Sequence, residues 1–135
     1  MALAKWNDVY SVKIDKLDAQ HKKVFEMINS LADAMRKGQG AEAIQPTLAK
    51  LMKHFRIHVK NEESVLLRTG YPELSAHKEE HRQYQLRLGR LKTDMEKTGN
   101  HDTVALLHIL SDMILNHMLQ TDLAYSADMN ANGIH

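Results

Sequence analysis

Seven polar residues sit at positions that the helical periodicity of this chain otherwise fills with apolar side chains. Apolar residues recur three and four apart in four segments, the spacing of an amphipathic helix. The first stripe is Val24, Phe25, Ile28, Leu31, Ala32 and Met35. The second is Ile44, Leu48, Leu51, Met52, Phe55, Val65 and Leu66. The third is Leu74, Tyr84, Leu88, Leu91 and Met95, and the fourth is Val104, Leu107, Leu110, Met113 and Ile114. His21 continues the first stripe. His58 and Glu62 fill the gap before Val65, and His77 and His81 fill the gap between Leu74 and Tyr84. His117 follows Ile114, and Asp122 completes the set.

The segment boundaries predict an all-α, up-down-up-down four-helix bundle with short connections. Helices are predicted over about 18–36, 42–67, 73–97 and 102–123, with Asp18 as the first N-cap. Gly38 and Gly40, Thr69-Gly70-Tyr71-Pro72 and Gly99-Asn100 separate them. Pro46 is expected in or before the first turn of its helix, because deeper in it would break the hydrogen-bond ladder. Residues 1–17, with Trp6, Tyr10, Val12 and Ile14, are expected to be an extended N-terminal arm, and residues 126–135 a loose tail. The 135 residues are expected to form a single domain.

Composition narrows the chemistry. Eighteen basic residues balance seventeen acidic ones, and no basic stripe stands out, so nucleic acid is not an expected partner. No apolar run is long enough to cross a membrane, so no membrane insertion is expected. The first residues are too short and polar for a secretion signal, which points to the cytoplasm. The chain has no cysteine, so a metal would have to be held by nitrogen and oxygen. No apolar stripe is left over, and a monomer is expected.

Five imidazoles and two carboxylates in an apolar interior cost several kcal/mol for each uncompensated charge, and metal cations are the natural compensation. Pairs four apart, His58/Glu62 and His77/His81, share a helix face and can each grip a metal from one side. Asp122 lies five residues after His117, which is off-face for a regular α-helix. The spacing therefore requires the helix to end or loosen there. With the two carboxylates bridging and one bridging oxygen, the set fills all but one position of two six-coordinate ions. A paired site with one open position in an apolar pocket suits a small ligand such as dioxygen. There is no HExxH and no Glu-x-x-His pair, which argues against a zinc-protease helix and a ferritin-like carboxylate bundle.

Trp6 with Asp18-Ala19-Gln20-His21, His58-Val59-Lys60-Asn61-Glu62-Glu63, Gly70-Tyr71-Pro72, His77-Lys78-Glu79-Glu80-His81 and His117-Met118-Leu119-Gln120-Thr121-Asp122 together resemble the hemerythrin family, in its small single-domain bacterial form. The resemblance implies a non-haem di-iron centre, oxo- or hydroxo-bridged. In it His77, His81 and His117 hold one iron, and His21 and His58 the other. Glu62 and Asp122 bridge the two. Dioxygen then binds at the second iron, for storage, delivery or sensing. An oxygen-consuming enzyme would be the recipient, and nothing in the sequence names it.

The remaining candidates surround that site. Val24, Phe25, Met113 and Ile114, one turn from His21 or His117, are expected to line a dry oxygen pocket. Tyr84 is placed to donate a hydrogen bond to a ligand or simply to pack. Trp6 either covers one end of the bundle or simply packs. His54, one turn before His58, has three readings: a hydrogen-bonding partner, an occasional ligand, or a solvated residue at the stripe's edge. Glu63 is expected to face solvent, as are His101 and His108. The alternative function is a di-iron redox enzyme acting on peroxide or nitric oxide. Such an enzyme needs proton donors at the open position, and the sequence offers no acid there beyond the bridging carboxylates. Binding, not catalysis, is the expectation.

Overall fold

A computed structural model of the chain describes residues 3–135; the first two residues of the expected arm lie outside the described residues. The chain folds as a four-helix bundle. Helix α1 spans Asp15–Arg36, α2 Gly40–Arg68 and α3 Leu74–Thr98. The last rod starts as α4, Thr103–Asp112, runs on as a π-helical stretch, Met113–Asp122, and ends as α5, Leu123–Ala131. Right-handed helical dihedrals at Met113, Asp122 and Leu123 carry it through both junctions without a break. Among the described residues, no helix is long and apolar enough to cross a membrane.

The stops follow local chemistry. Gly99 ends α3 with φ +68, the left-handed conformation that glycine adopts most readily, and its amide bonds back to the Met95 carbonyl. Asp102 caps α4, its side chain accepting from the Ala105 amide. Gly40 is buried where a Cβ would come within 3.1 Å of both Met35 and Thr103, so a bare backbone lets α1, α2 and α4 converge.

Three expectations about boundaries are corrected. Asp18 is not an N-cap: α1 begins at Asp15, and the Asp18 carboxylate accepts from Ser11 Oγ at 2.6 Å and the Val12 amide at 2.9 Å, tying the arm to the helix. Pro46 lies inside α2, beyond its first turn. It is tolerated because it and Glu42, whose carbonyl loses its partner, both face water. Residues 126–135 are not a loose tail: the helix runs to Ala131, Met129 is fully buried, and Ser126 Oγ donates to the Val12 carbonyl at 2.9 Å. The arm itself holds one turn of 3₁₀-helix, Asp8–Tyr10.

The interior is layered along the bundle. The larger apolar cluster contains Val24, Phe25, Ile28, Leu51, Phe55, Leu88, Leu106 and Leu110 among others. A smaller one, Val12, Ile14, Leu17, Leu66, Tyr125 and Met129, joins the arm to α5. The sequence order on α1 (Leu17, His21, Val24) and on α2 (Phe55, His58, Glu62, Leu66) puts the polar layer between the two clusters. The fourth stripe departs from its expected register only at its start: Leu106 and Ile109 are buried, whereas Val104 is 66% exposed; Leu110, Met113 and Ile114 are buried as expected. Leu106→Ala should therefore cost about 2–5 kcal/mol in urea unfolding, and Val104→Ala under about 0.5 kcal/mol. Equal costs would reject this register.

Candidate metal centre

The fold brings all seven polar residues of the sequence pattern into one buried cluster. His21, His58, Glu62, His77, His81, His117 and Asp122 are each 5% exposed or less, and both carboxylates are completely shielded. Their potential ligand atoms fall into two overlapping groups, within 4.8 Å of one another in each. One group is His77, His81 and His117 with Glu62 and Asp122; the other is His21 and His58 with the same two carboxylates.

Each carboxylate divides its oxygens between the groups. Glu62 Oε1 faces His77 Nε2 in close contact, His81 Nε2 at 3.0 Å and His117 Nε2 at 3.9 Å. Its Oε2 faces His58 Nε2 at 3.1 Å and His21 Nε2 at 3.4 Å. Asp122 Oδ1 faces His77 and His117 at 3.2 and 3.1 Å, and Oδ2 faces His21 at 3.1 Å. Each carboxylate thus turns one oxygen toward each group.

The π-helical stretch explains Asp122. Hydrogen bonding from residue i to i+5 stacks residues five apart, as bonding to i+4 does in an α-helix. In a regular α-helix Asp122 would point about 140° away from His117. The helix does loosen there, as the five-residue spacing requires, by widening rather than by ending.

All five Nε2 atoms point inward, and the outward ring nitrogens of three imidazoles are hydrogen-bonded. His58 Nδ1 meets Gln20 Oε1 at 2.7 Å, His81 Nδ1 meets Glu63 Oε2 at 2.7 Å, and His117 Nδ1 meets Glu80 Oε1 at 2.9 Å. An Nδ1–H held in this way orients the ring and leaves the Nε2 lone pair for a metal. Tyr125 completes the shell, its hydroxyl donating to Glu62 Oε2 at 2.9 Å. None of these four partners was singled out by the periodicity. Gln20, Glu63 and Glu80 each adjoin a ligand-type residue in sequence, but each serves an imidazole on another helix. Only Glu63 had been assigned an orientation, toward solvent, and it is corrected here.

The other candidates settle as follows. Val24, Phe25, Met113 and Ile114 are all buried in the larger apolar cluster. Tyr84 packs its ring 5.5 Å from that of His117, yet its hydroxyl donates to the Asp112 carbonyl at 3.2 Å, not to a ligand-type residue. Trp6 packs edge-to-face on Phe25 at 5.4 Å, beneath Lys22. His54 is half-buried; its Nε2 meets the Gln20 carbonyl at 2.8 Å, and its ring stacks 6.4 Å from that of His58. His101 and His108 are exposed.

The donor set fits a metal. Asp122 is wholly buried, and neither of its oxygens has a directed hydrogen bond; His21 Nδ1 is likewise unpartnered. Orphaned buried carboxylate oxygens cost free energy unless a cation satisfies them. Electrostatics say the same. Burial alone would lower the pKa of His21 and His77, but Asp122 and Glu62 outweigh it and raise both to about 9. His117 is raised well above its ordinary value by the same carboxylates against the pull of burial. Against its own burial, Glu62 is held well below the carboxylate range, chiefly by His58 and His117. Burial pushes His58 down. Protons on the imidazoles thus take the place a cation would take.

The fold and the cluster define a class: a helical bundle that holds cations in its interior through nitrogen and oxygen alone. Comparison with known proteins specifies it. The family described as hemerythrin HHE cation binding domain matches residues 12–127. Bacteriohemerythrin of Stenotrophomonas maltophilia is 30% identical over 98% of this chain and 85% of its own length. That of Methylococcus capsulatus is also 30% identical, over 97% of this chain and all of its own length. Myohemerythrin of Theromyzon tessulatum is 26% identical over 93% of this chain and 92% of its own. The crystal structure of a hemerythrin point mutant superposes with a TM-score of 0.85 at 26% identity, covering 96% of this chain and 98% of that one. The chain belongs to the hemerythrin family. Oxygen binding at a non-haem iron site is the function that comes with membership.

The raised imidazoles set a pH dependence. A group whose folded pKa exceeds its unfolded value stabilises the fold fully below the unfolded pKa and loses that contribution as pH rises through the folded one. Metal-free protein should therefore become less stable to urea between pH 6.5 and about 9, the interval over which His21 and His77 are raised. Apparent affinity for ferrous ion should climb over the same interval, because each bound imidazole must first release its proton. Stability and affinity that stay flat across it would contradict these assignments.

Proposed function

We propose that the seven residues hold two iron ions and that the chain binds dioxygen reversibly. His77, His81 and His117 hold one ion, His21 and His58 the other, with Glu62 and Asp122 shared. The observation that carries this reading is the division of both carboxylates' oxygens between a three-imidazole and a two-imidazole group. When bound, iron supplies the electrons that turn weak contact with dioxygen into binding.

The protein's own residues supply the rest. The two-imidazole group has one nitrogen donor fewer, so the open position belongs on the side of His21 and His58. His21 lies one helical turn before Val24 and Phe25, and both belong to the same apolar cluster as Met113 and Ile114. An apolar wall excludes water and offers no proton to a reduced oxygen species, which favours release of oxygen unchanged over its reduction. Gln20 orients His58 on this side, and Glu63 and Glu80 orient His81 and His117 on the other. Tyr125 restrains Glu62 by its hydrogen bond to Oε2. The matched region spans most of the chain, and we read all of it as one hemerythrin-like domain.

The reading is tested by preparing the protein without oxygen, measuring iron per chain, and following visible absorption as oxygen is added and removed. Two irons per chain and a band that appears and disappears over repeated cycles are expected. Rapid irreversible oxidation on first exposure would overturn the carrier reading and favour a redox enzyme acting on peroxide or nitric oxide. His117→Ala should lose iron and helix-bundle stability together, since a shared ion ties the helices. Iron stoichiometry unchanged from the parent would reject the assignment of His117.

A further inference from the structure

The π-helical stretch is gripped from outside by one line of side chains on α3. Glu80, Tyr84 and Arg87 lie four and three apart, on one helix face. At the start of the stretch, Arg87 pairs with the Asp112 carboxylate at 2.5 Å, and Tyr84 donates to the Asp112 carbonyl. Toward its far end, Glu80 makes a double contact. Its Oε1 accepts from His117 Nδ1 at 2.9 Å and from Thr121 Oγ1 at 2.8 Å, and its Oε2 lies 2.9 Å from the same hydroxyl. Thr121 immediately precedes Asp122.

A π-helix of ten residues is uncommon, because an α-helix is the ordinary outcome for such a sequence. The wide form, which rises less per residue, is selected by the span between two anchors: Arg87 to Glu80 is seven residues of α-helix, about 10.5 Å, whereas the nine residues from Asp112 to Thr121 opposite them would cover about 13.5 Å as an α-helix. In an α-helix, His117 and Thr121 would lie four apart on one face and Asp122 would turn away. In the wide form a single carboxylate holds both while Asp122 turns inward. We propose that Glu80 is a positioning residue for the metal centre: with Arg87 anchored on Asp112, its hold on His117 and Thr121 keeps the stretch at the shortened, wide period that sets His117 and Asp122 on one face. The proposal rests on the metal-site reading above, and it concerns a residue that does not itself touch the ion.

The test uses the full chain and two readouts. In metal-free protein, backbone hydrogen exchange is followed across residues 113–122. In parallel, ferrous ion is titrated anaerobically. Glu80→Ala should speed exchange in this stretch and weaken ferrous binding about tenfold to a hundredfold, the usual cost of losing a group that orients a ligand. Thr121→Val, which keeps the shape and removes the hydroxyl, should move both readouts in the same direction. Glu80→Gln should stay closer to the parent, because its amide oxygen can still accept from both donors. Glu79→Gln, on the exposed neighbour that bonds Arg82 and Gln83, should leave both readouts at the parent values. Parent-like exchange and affinity in Glu80→Ala would overturn the proposal. So would equal losses in Glu80→Gln and Glu80→Ala with Thr121→Val unaffected, since that pattern reports charge beside His117 and not a grip. If Glu80→Ala does not fold, Thr121→Val decides between the same alternatives. If the parent chain binds no ferrous ion, the iron reading falls, and exchange in the metal-free variants still decides whether Glu80 holds the stretch.

Discussion

Two carboxylates with no access to water govern this structure. A buried Glu and a buried Asp a few ångströms apart repel each other and lose hydration, and no apolar contact compensates for that. The fold answers by surrounding them with five imidazoles drawn from all four rods of the bundle. Each carboxylate turns one oxygen to each side. Because the imidazoles can carry protons or yield them to cations, positive charge can face the carboxylates in either state. The two apolar clusters on its flanks gain from burial in the ordinary way, but their relative placement is dictated by the polar layer between them.

The last rod is where backbone and site chemistry meet. Its α-helical turns bury Leu106, Ile109 and Leu110 in register with the main cluster. The widened turns then reset that register, so that His117 and Asp122 reach the site and Tyr125 and Met129 reach the second cluster. One local change of period thus serves three layers. It is held by polar contacts from α3, which lies alongside, and not by the intrinsic preference of the residues within it.

Much of this was legible in the sequence, and the limits have physical causes. The seven residues stood out because helical periodicity is a one-dimensional signal: a polar residue on an apolar stripe marks a buried place for itself. His77/His81 and His58/Glu62 needed nothing more. Asp122 did, since its five-residue spacing from His117 implied a departure from α-helix without saying which kind. Gln20, Glu63, Glu80 and Tyr125 were illegible because their partners lie on other helices, and pairing across a bundle depends on helix rotation and offset. Val104 and Leu106 misled for a related reason. Both lie in an apolar-rich run where several stripes fit equally well, and the choice between them is made by packing. The supposed tail hid one buried residue, Met129, among small polar ones, too sparse a pattern to mark a helix end.

Ser126 and Asn130 join α5 to the backbone of Val12 and Lys13, across more than a hundred residues of chain. That closure has a consequence for how the protein is made. A chain emerging from its N-terminus can form α1 and α2 early, and with them His21, His58 and one carboxylate. Until Asp122 has been synthesised, however, Glu62 has no counterpart, and the floor beneath the polar layer is missing. The complete set of seven side chains therefore exists only once the last rod has been made. A partial bundle offers nitrogen-rich, acid-poor ground to whichever metal arrives first. The completed one adds His117 and a second buried negative charge, and the added carboxylate favours hard, multiply charged ions over the soft ones that imidazole alone would accept.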